Sequence, residues 1–369
     1  MDFFVETEEL QRIIKSLNQL SPERVLIKAE EDIVSFVAND GTNHIVATSE
    51  EAKVEEPGSI VVPFGKIKSF STSFSPWNGE YGTKNLRFLF KDNIMKMSVK
   101  TTHKNGKTAS GSLKLDYFDT SYIVMPKEFE RTDFVLNSNM FKKSIVKVLY
   151  AIDTNNNRVS LQGMNLKFDK DDIYFAGTNG RAISEFKVKN SNKLADGSFT
   201  MMHRFIVCLK NLLGEETQMF FQIDDRLITV KFDNICFYGK LVIGENYPKY
   251  QSMFDEYKNS FVVEKDMLLE SIKPFRDVLD HEDNNRLTLK FEGGKLFLST
   301  KEMSLQCDFD VDYKEDFVID VNGKFLYNSI DVIEDDKIIT KFSNDKGYLI
   351  FDSGNFEDQK ALLAPIMRR

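Results

Sequence analysis

One pattern recurs three times along this chain and limits its fold more than any other feature. Phe3-Phe4-Val5 runs through Glu6-Thr7-Glu8-Glu9 into Leu10, Ile13, Ile14 and Leu17. Phe134-Val135-Leu136 runs through Asn137-Ser138-Asn139 into Met140, Phe141, Ile145 and Val148. Phe261-Val262-Val263 runs through Glu264-Lys265-Asp266 into Met267, Leu268, Ile272 and Phe275. Each is a short apolar strand, a polar turn and a helix with apolar residues three or four apart, as one buried face requires. Thr7, Ser138 and Asp266 fall where N-caps are expected. A second strand–helix pattern lies inside each third: Ile60–Pro63 before Lys66–Phe74, Phe199–Met202 before His203–Leu213, and Val318–Val321 before Lys324–Ile333. Alternating segments (Leu86–Val99, Arg226–Leu241, Leu287–Leu298) add antiparallel strands. The expectation is an α+β chain of three repeated domains, 1–127, 128–257 and 258–369, with two helices on the inner face of each and sheets outside. Linkers are expected near Met125–Arg131 and Tyr257–Ser260. A surface loop is expected at Ser73–Thr83, and Trp77 in that loop acquires no role.

Catalytic signatures are missing where they would have to be. The four histidines (His44, His103, His203, His281) and three cysteines (Cys208, Cys236, Cys307) show no zinc spacing. Gly106-Lys107-Thr108 ends like a phosphate-binding loop, but Thr101 occupies its first glycine position, so a charged hairpin tip is expected. Asp308, Asp310 and Asp312 invite a cation. However, Tyr313 and Ile319 replace the loop glycine and closing glutamate, and Leu305, Cys307, Phe309, Val311 and Tyr313 alternate with them as in a strand. No apolar run reaches the length of a membrane span, and the start carries no secretory pattern. Sparse, scattered cysteines fit a reducing cytoplasm.

Charge is segregated. The chain has 49 basic and 57 acidic residues, a formal charge of −8. The six expected helices (8–20, 63–74, 138–149, 203–213, 265–279, 322–333) hold thirteen basic residues against six acidic ones. Equivalent helices gathering cations in an acidic chain point to a shared surface facing a polyanion. The expected contacts are Arg12, Lys15, Lys66, Lys68, Lys142, Lys143, Lys147, Arg204, Lys210, Lys273, Arg276 and Lys324.

At this point three strings resemble a family, the bacterial β sliding clamp or DNA polymerase III beta subunit. They are Val159-Ser160-Leu161-Gln162-Gly163-Met164 followed by Ala176-Gly177-Thr178-Asn179-Gly180-Arg181-Ala182-Ile183; Glu245-Asn246-Tyr247-Pro248-Lys249-Tyr250; and the tail Leu362-Leu363-Ala364-Pro365-Ile366-Met367-Arg368-Arg369. The resemblance runs nearly end to end and implies a processivity factor: a head-to-tail homodimeric ring around duplex DNA, read without sequence preference. It implies no enzymatic activity and no cofactor or metal. The implied partners are the replicative polymerase, an ATP-driven clamp loader and other proteins with a clamp-binding motif.

The family's peptide pocket then maps onto Thr178, Gly180, Arg181, Ile183, Pro248, Met253, Leu362, Leu363, Ala364, Pro365 and Ile366. Small and apolar residues there would receive leucine and aromatic anchors. The ring interface maps onto Leu113 and Leu115, meeting Val278 and Leu279 of a second copy. Ala182 and Ser252 stand where the family has arginines, the tail ends in two arginines, and the acidic stretch Asn355–Gln359 is unusual. Each departure bears on which peptides fit. Pro274 is expected to kink its helix. Two other readings stay open: a clamp-fold scaffold that binds partners but not DNA, and an enzyme with a carboxylate site such as a nuclease.

Overall fold

In the computed structural model the described residues are 1–189, 197–255, 257–279, 283–310, 316–342, 347–353 and 358–367, with 308–310 described by backbone alone. His281, Asp312, Arg368, Arg369 and Asn355–Glu357 lie outside them, as do the side chains of Asp308 and Asp310.

Six α-helices occur among the described residues: α1 (Thr7–Leu17), α2 (Phe64–Thr72), α3 (Ser138–Val148), α4 (His203–Leu212), α5 (Lys265–Ile272) and α6 (Gly323–Asp331). Each follows a strand with no intervening residue: Asp2–Glu6, Gly58–Pro63, Phe134–Asn137, Gly197–Met202, Asn259–Glu264 and Phe317–Asn322. This abruptness corrects the expected caps. Thr7 is already the first helical residue and spends its hydroxyl on the Lys84 carbonyl at 3.1 Å. Ser138 opens α3, donating to Gly214 O at 3.1 Å and accepting from Thr217 N at 2.9 Å. Asp266 is inside the first turn of α5. A side-chain cap appears instead on α6, where Asn322 accepts from the amides of Lys324 and Phe325. Pro274 acts as expected: α5 stops at Ile272 and a 3₁₀ turn, Lys273–Phe275, takes over.

All named sheets are antiparallel, and the described chain forms two compact units. The first comprises Met1–Ser138 with Val207–Lys240, the second Asn139–Ile206 with Leu241–Arg369. The middle third therefore contributes to both. In the first unit an eight-stranded sheet runs in the order Phe134–Asn137, Gln218–Ile223, Leu227–Phe232, Ile235–Lys240, His44–Ser49, Val34–Asn39, Arg24–Ala29, Gly58–Pro63. Its continuity depends on Ile235–Lys240 pairing with His44–Ser49. In the second unit the order is Gly197–Met202, Gly163–Phe168, Asp172–Thr178, Ala182–Lys189, Gln359–Leu363, Leu349–Ser353, Lys337–Phe342, Asn259–Glu264. Here Ala182–Lys189 pairs with Gln359–Leu363.

Each unit has a smaller sheet with an unpaired edge strand: Thr108–Leu115 in the five-stranded sheet of the first unit, Ser304–Asp310 in the four-stranded sheet of the second. The aspartates 308 and 310 thus lie on a strand, as the alternation predicts. Gly106 sits at the tip of the hairpin between Ile94–Thr102 and Thr108–Leu115, at φ +75°. No helix among the described residues is long and apolar enough to cross a membrane. No group of three or more His, Cys, Asp or Glu among them gathers as a metal site.

Candidate functional site

The cations on the helices fall into three classes. Arg12, Lys15, Lys66, Lys68, Arg204, Lys273 and Arg276 are exposed; Lys142, Lys143, Lys210 and Lys324 are half-buried; Lys147 is buried. The exposed set stands outward because α1 buries Leu10, Ile13, Ile14 and Leu17, leaving the 12 and 15 positions on the opposite arc. Arg12 and Lys15 border a 520 Å³ cleft within the first unit, shared with Glu9, Gln19, Asn211 and Asp233. Lys68 donates to Asn18 at 2.9 Å, and Lys66 pairs with the exposed Asp116. Arg276 lies 4.5 Å from the Tyr327 ring centroid.

Lys147 departs from the expected DNA face. It is 4% exposed; its ammonium donates to Val332 O and pairs with Glu334 at 3.1 Å, while Lys143 reaches the same carboxylate at 2.6 Å. Burial holds Lys147 below the ordinary lysine range. These two lysines fasten α3 to the segment after α6 rather than standing free. Beside them Tyr150 donates to or accepts from Ser329 Oγ at 2.9 Å, and burial pushes its phenol up to about 12.

The residues mapped to a peptide pocket are assembled by a tight turn and a sheet face. Thr178 Oγ1 donates to Ala182 O at 2.7 Å and accepts from Gly180 N at 3.1 Å. Asn179 Oδ1 accepts from the amides of Arg181 and Ala182, both at 2.8 Å. Gly180 has φ +84°, a conformation that favours glycine. Arg181 is exposed and bonds Asn284 at 3.1 Å.

Beyond the turn, Ile183 pairs with Leu362 across the sheet. These two join Ala176, Ile350, Tyr250 and Phe254, with Met253, Tyr247 and Tyr348 packed against them. Leu363 and its pairing partner Ala182 point to the other face and enter a separate core. That corrects the expectation for Leu363, since successive strand residues alternate sides. The tail is tied down: Ala364 N donates to Arg181 O and Ile366 N to Asp320 O, both at 2.7 Å. Pro365 packs near Gly347, and Pro248, Ala364 and Ile366 are half-buried. Ser252 is exposed.

Two of the family-like strings meet. Glu245 accepts from Ser160 N at 2.7 Å and Arg158 Nε at 3.2 Å, and the Ser160 amide above all holds its carboxyl below the usual range. Gly163 leaves no room for a side chain, because a Cβ would lie 2.1 Å from Met201 O.

The sequence mapping omitted Tyr247, Tyr250, Phe254 and Tyr348, which pack into the same cluster as Ile183 and Leu362. The first three stack edge to face in series, at 6.1 Å and 6.0 Å. Their signal was an aromatic at 247, 250 and 254 within one short motif.

Of the residues mapped to a subunit interface, Leu115 and Leu279 are buried, Leu279 in its own unit's core, while Leu113 and Val278 are half-buried.

A family profile described as DNA polymerase III beta subunit, central domain, matches residues 135–249. The beta sliding clamp of Buchnera aphidicola subsp. Rhopalosiphum padi is 22% identical over 93% of this chain and 91% of its own length. That of Mycoplasma capricolum is 24% identical over 63% of this chain and 64% of its own. The solved DNA polymerase III subunit beta from Pseudomonas aeruginosa superposes with a TM-score of 0.87 at 16% identity, covering 100% of both chains. The full-length superposition gives the chain the fold of the bacterial DNA polymerase III beta subunits, and its central segment and its curated relatives are similar to the beta sliding clamps.

Proposed function

We propose that this protein is a replicative sliding clamp: three domains per chain (1–127, 128–257, 258–369), two chains head to tail, closing a ring around duplex DNA. The observation that carries the reading is the set of solvent-facing cations on α1, α2 and α4 and in the segment just past α5 of an acidic chain. Loose cation–phosphate contacts attract any DNA sequence and leave the ring free to slide, while the acidic remainder repels DNA elsewhere. Arg12, Lys15, Lys66, Lys68, Arg204, Lys273 and Arg276 act most directly. Lys142, Lys210 and Lys324 contribute from half-buried positions.

Two of the edge strands, Thr108–Leu115 and Ser304–Asp310, one from each smaller sheet, support head-to-tail closure. Joined between copies, they satisfy backbone groups that would otherwise invite aggregation. Leu113 and Val278 would pack beside that joint. The cluster around Ile183, Met253 and Leu362 receives a peptide from the polymerase, the loader or other clamp-binding proteins. The chain itself performs no chemistry; a loader supplies nucleotide hydrolysis.

The test combines solution mass with retention on DNA. A mass near twice 42.6 kDa, salt-resistant retention on nicked circles and run-off from linear ends establish the ring. Replacing Lys15, Lys273 and Arg276 with glutamine should lower loading or retention and leave the dimer intact. A dimer that takes up partner peptide yet never holds circular DNA would instead make the protein a scaffold of the same fold.

A further inference from the structure

A buried carboxylate lies beside the apolar residues proposed to form the pocket. Glu185 is two residues beyond Ile183 on the same strand, so it shares that face. It is 6% exposed. Its Oε2 accepts from Tyr250 Oη at 2.6 Å and from Gln251 Nε2 at 3.4 Å. Gln251 in turn accepts from Lys167, on the neighbouring strand Gly163–Phe168. Two strands therefore grip Tyr250 and Gln251, where one short turn begins. That turn, Gln251–Asp255, carries Met253 and Phe254, and is closed by Met253 N donating to Tyr250 O at 2.9 Å.

We propose that Glu185 is the positioning residue of the pocket wall, fixing Tyr250 and through it Tyr247, Met253 and Phe254 in the arrangement that admits a partner peptide. The proposal rests on the pocket reading above. The physical reason is directional. Apolar contacts alone would let the turn slide over the sheet, whereas a hydrogen bond to a buried carboxylate fixes one rotamer of Tyr250. Tyr250 lies between Tyr247 and Phe254 in the edge-to-face series, so a change in its ring angle moves both neighbours.

The cost falls on the fold. Burying a carboxylate beside Ala176, its cross-strand partner, is unfavourable, and an apolar residue of similar size would suit stability better. Desolvation raises the Glu185 carboxyl above the usual range, opposed by the Tyr250 and Gln251 hydrogen bonds and by Lys360 and Lys167. Tyr174 and Tyr247 are the other titratable groups facing this site. The Tyr247 hydroxyl is buried without a hydrogen-bond partner, which leaves Tyr250 as the bonded tyrosine of the pair.

Stability and peptide affinity should therefore separate. The full-length protein is compared with Glu185→Val, Glu185→Gln, Tyr250→Phe and the Glu185→Val/Tyr250→Phe double variant. The readouts are anisotropy of a labelled synthetic peptide bearing two leucines and a terminal phenylalanine, thermal midpoint, and hydrogen exchange of the Met253–Asp255 amides. Glu185→Val should bind the peptide at least tenfold more weakly, exchange those amides at least tenfold faster, and melt no lower than the parent. Glu185→Gln keeps an acceptor oxygen and should stay within about threefold. Tyr250→Phe should lose as much as Glu185→Val, and the double variant no more than either.

Unchanged affinity and exchange in Glu185→Val would overturn the proposal. So would affinity that falls only in step with the melting temperature. If the parent ignores the peptide while Glu185→Val still frees the amides, the pocket reading fails and the positioning role stands.

Discussion

The two eight-stranded sheets solve one problem with different chemistry. Each is continuous because strands distant in sequence pair: Ile235–Lys240 with His44–Ser49 in the first unit, Ala182–Lys189 with Gln359–Leu363 in the second. The first junction is sealed mainly by hydrocarbon, with Thr48 and Asn234 exchanging exposed hydrogen bonds at its end. Leu26, Val37, Val46, Val61, Ile123 and Tyr238 pack together with Phe118 and Cys236, and Arg24 lies 4.3 Å from the Phe118 centroid and 4.9 Å from that of Tyr122.

The second junction holds buried polar groups on both sides. Glu185 lies beside the residues proposed to form the pocket. On the other face Ser184 Oγ donates to Lys147 O at 2.7 Å and accepts from Gln359 at 3.0 Å, near the Lys147–Glu334 pair. Hydrocarbon stabilises without fixing direction, while satisfied polar groups select one geometry at some cost in stability. The junction assigned to peptide binding is the one built to hold a single shape.

That contrast can be attacked from both sides. Phe237 is fully buried on the strand that joins the first sheet. Phe237→Ala should cost about 3–5 kcal/mol in denaturant unfolding. A loss below about 1 kcal/mol would mean that the first junction does not depend on apolar packing.

In the second unit, Lys147→Ala should cost about 2 kcal/mol, because Val332 O loses its donor while Glu334 remains solvated. The lysine's depressed folded pKa means that the unfolded chain holds the proton more tightly. Parental stability should therefore rise with pH towards the ordinary lysine range, and the variant should lack that rise.

Glu185→Val should stabilise by about 1 kcal/mol at neutral pH. The raised folded pKa contributes stability that is complete below the ordinary carboxylate range and lost as pH climbs through the raised value. The variant's advantage should accordingly be largest at pH 7 and vanish towards pH 4 in urea titrations. Smallest is Arg24→Ala, at about 0.5–1 kcal/mol for the lost contact with two rings.

Local structure was legible where its cause is local. The spacing of Leu10, Ile13, Ile14 and Leu17 gave α1, and Pro274 marked the end of α5, because both depend on near neighbours. The caps at Thr7, Ser138 and Asp266 were misplaced, since an N-cap rule assumes a loop before the helix and these helices leave directly from strands. Pairing of Ile235–Lys240 with His44–Ser49 spans nearly two hundred residues, and nothing in either segment names its partner.

At the site, Ile183 and Leu362 were found but Leu363 was carried along, although strict alternation separates the two leucines. Glu185 was overlooked for the converse reason. Period two places it beside Ile183, yet a glutamate in a strand is ordinarily taken as facing water. Lys147 was misread in the same way, as one cation of a helix rather than as a buried donor to a neighbouring turn.

The abrupt strand-to-helix joints also govern where this gene can change length. An inserted codon between Glu6 and Thr7, or between Asn137 and Ser138, would rotate the following helix by about 100° and turn its apolar stripe away from the sheet. The hairpin tip at His103–Lys107 has no such coupling, because its residues are exposed, their backbone hydrogen bonds close within the tip, and Lys104 reaches outward only to a ring, 5.1 Å from the Tyr81 centroid. Reporter sequences, protease sites and neutral indels belong there, whereas a single added residue at any of the six joints acts as a frameshift in space.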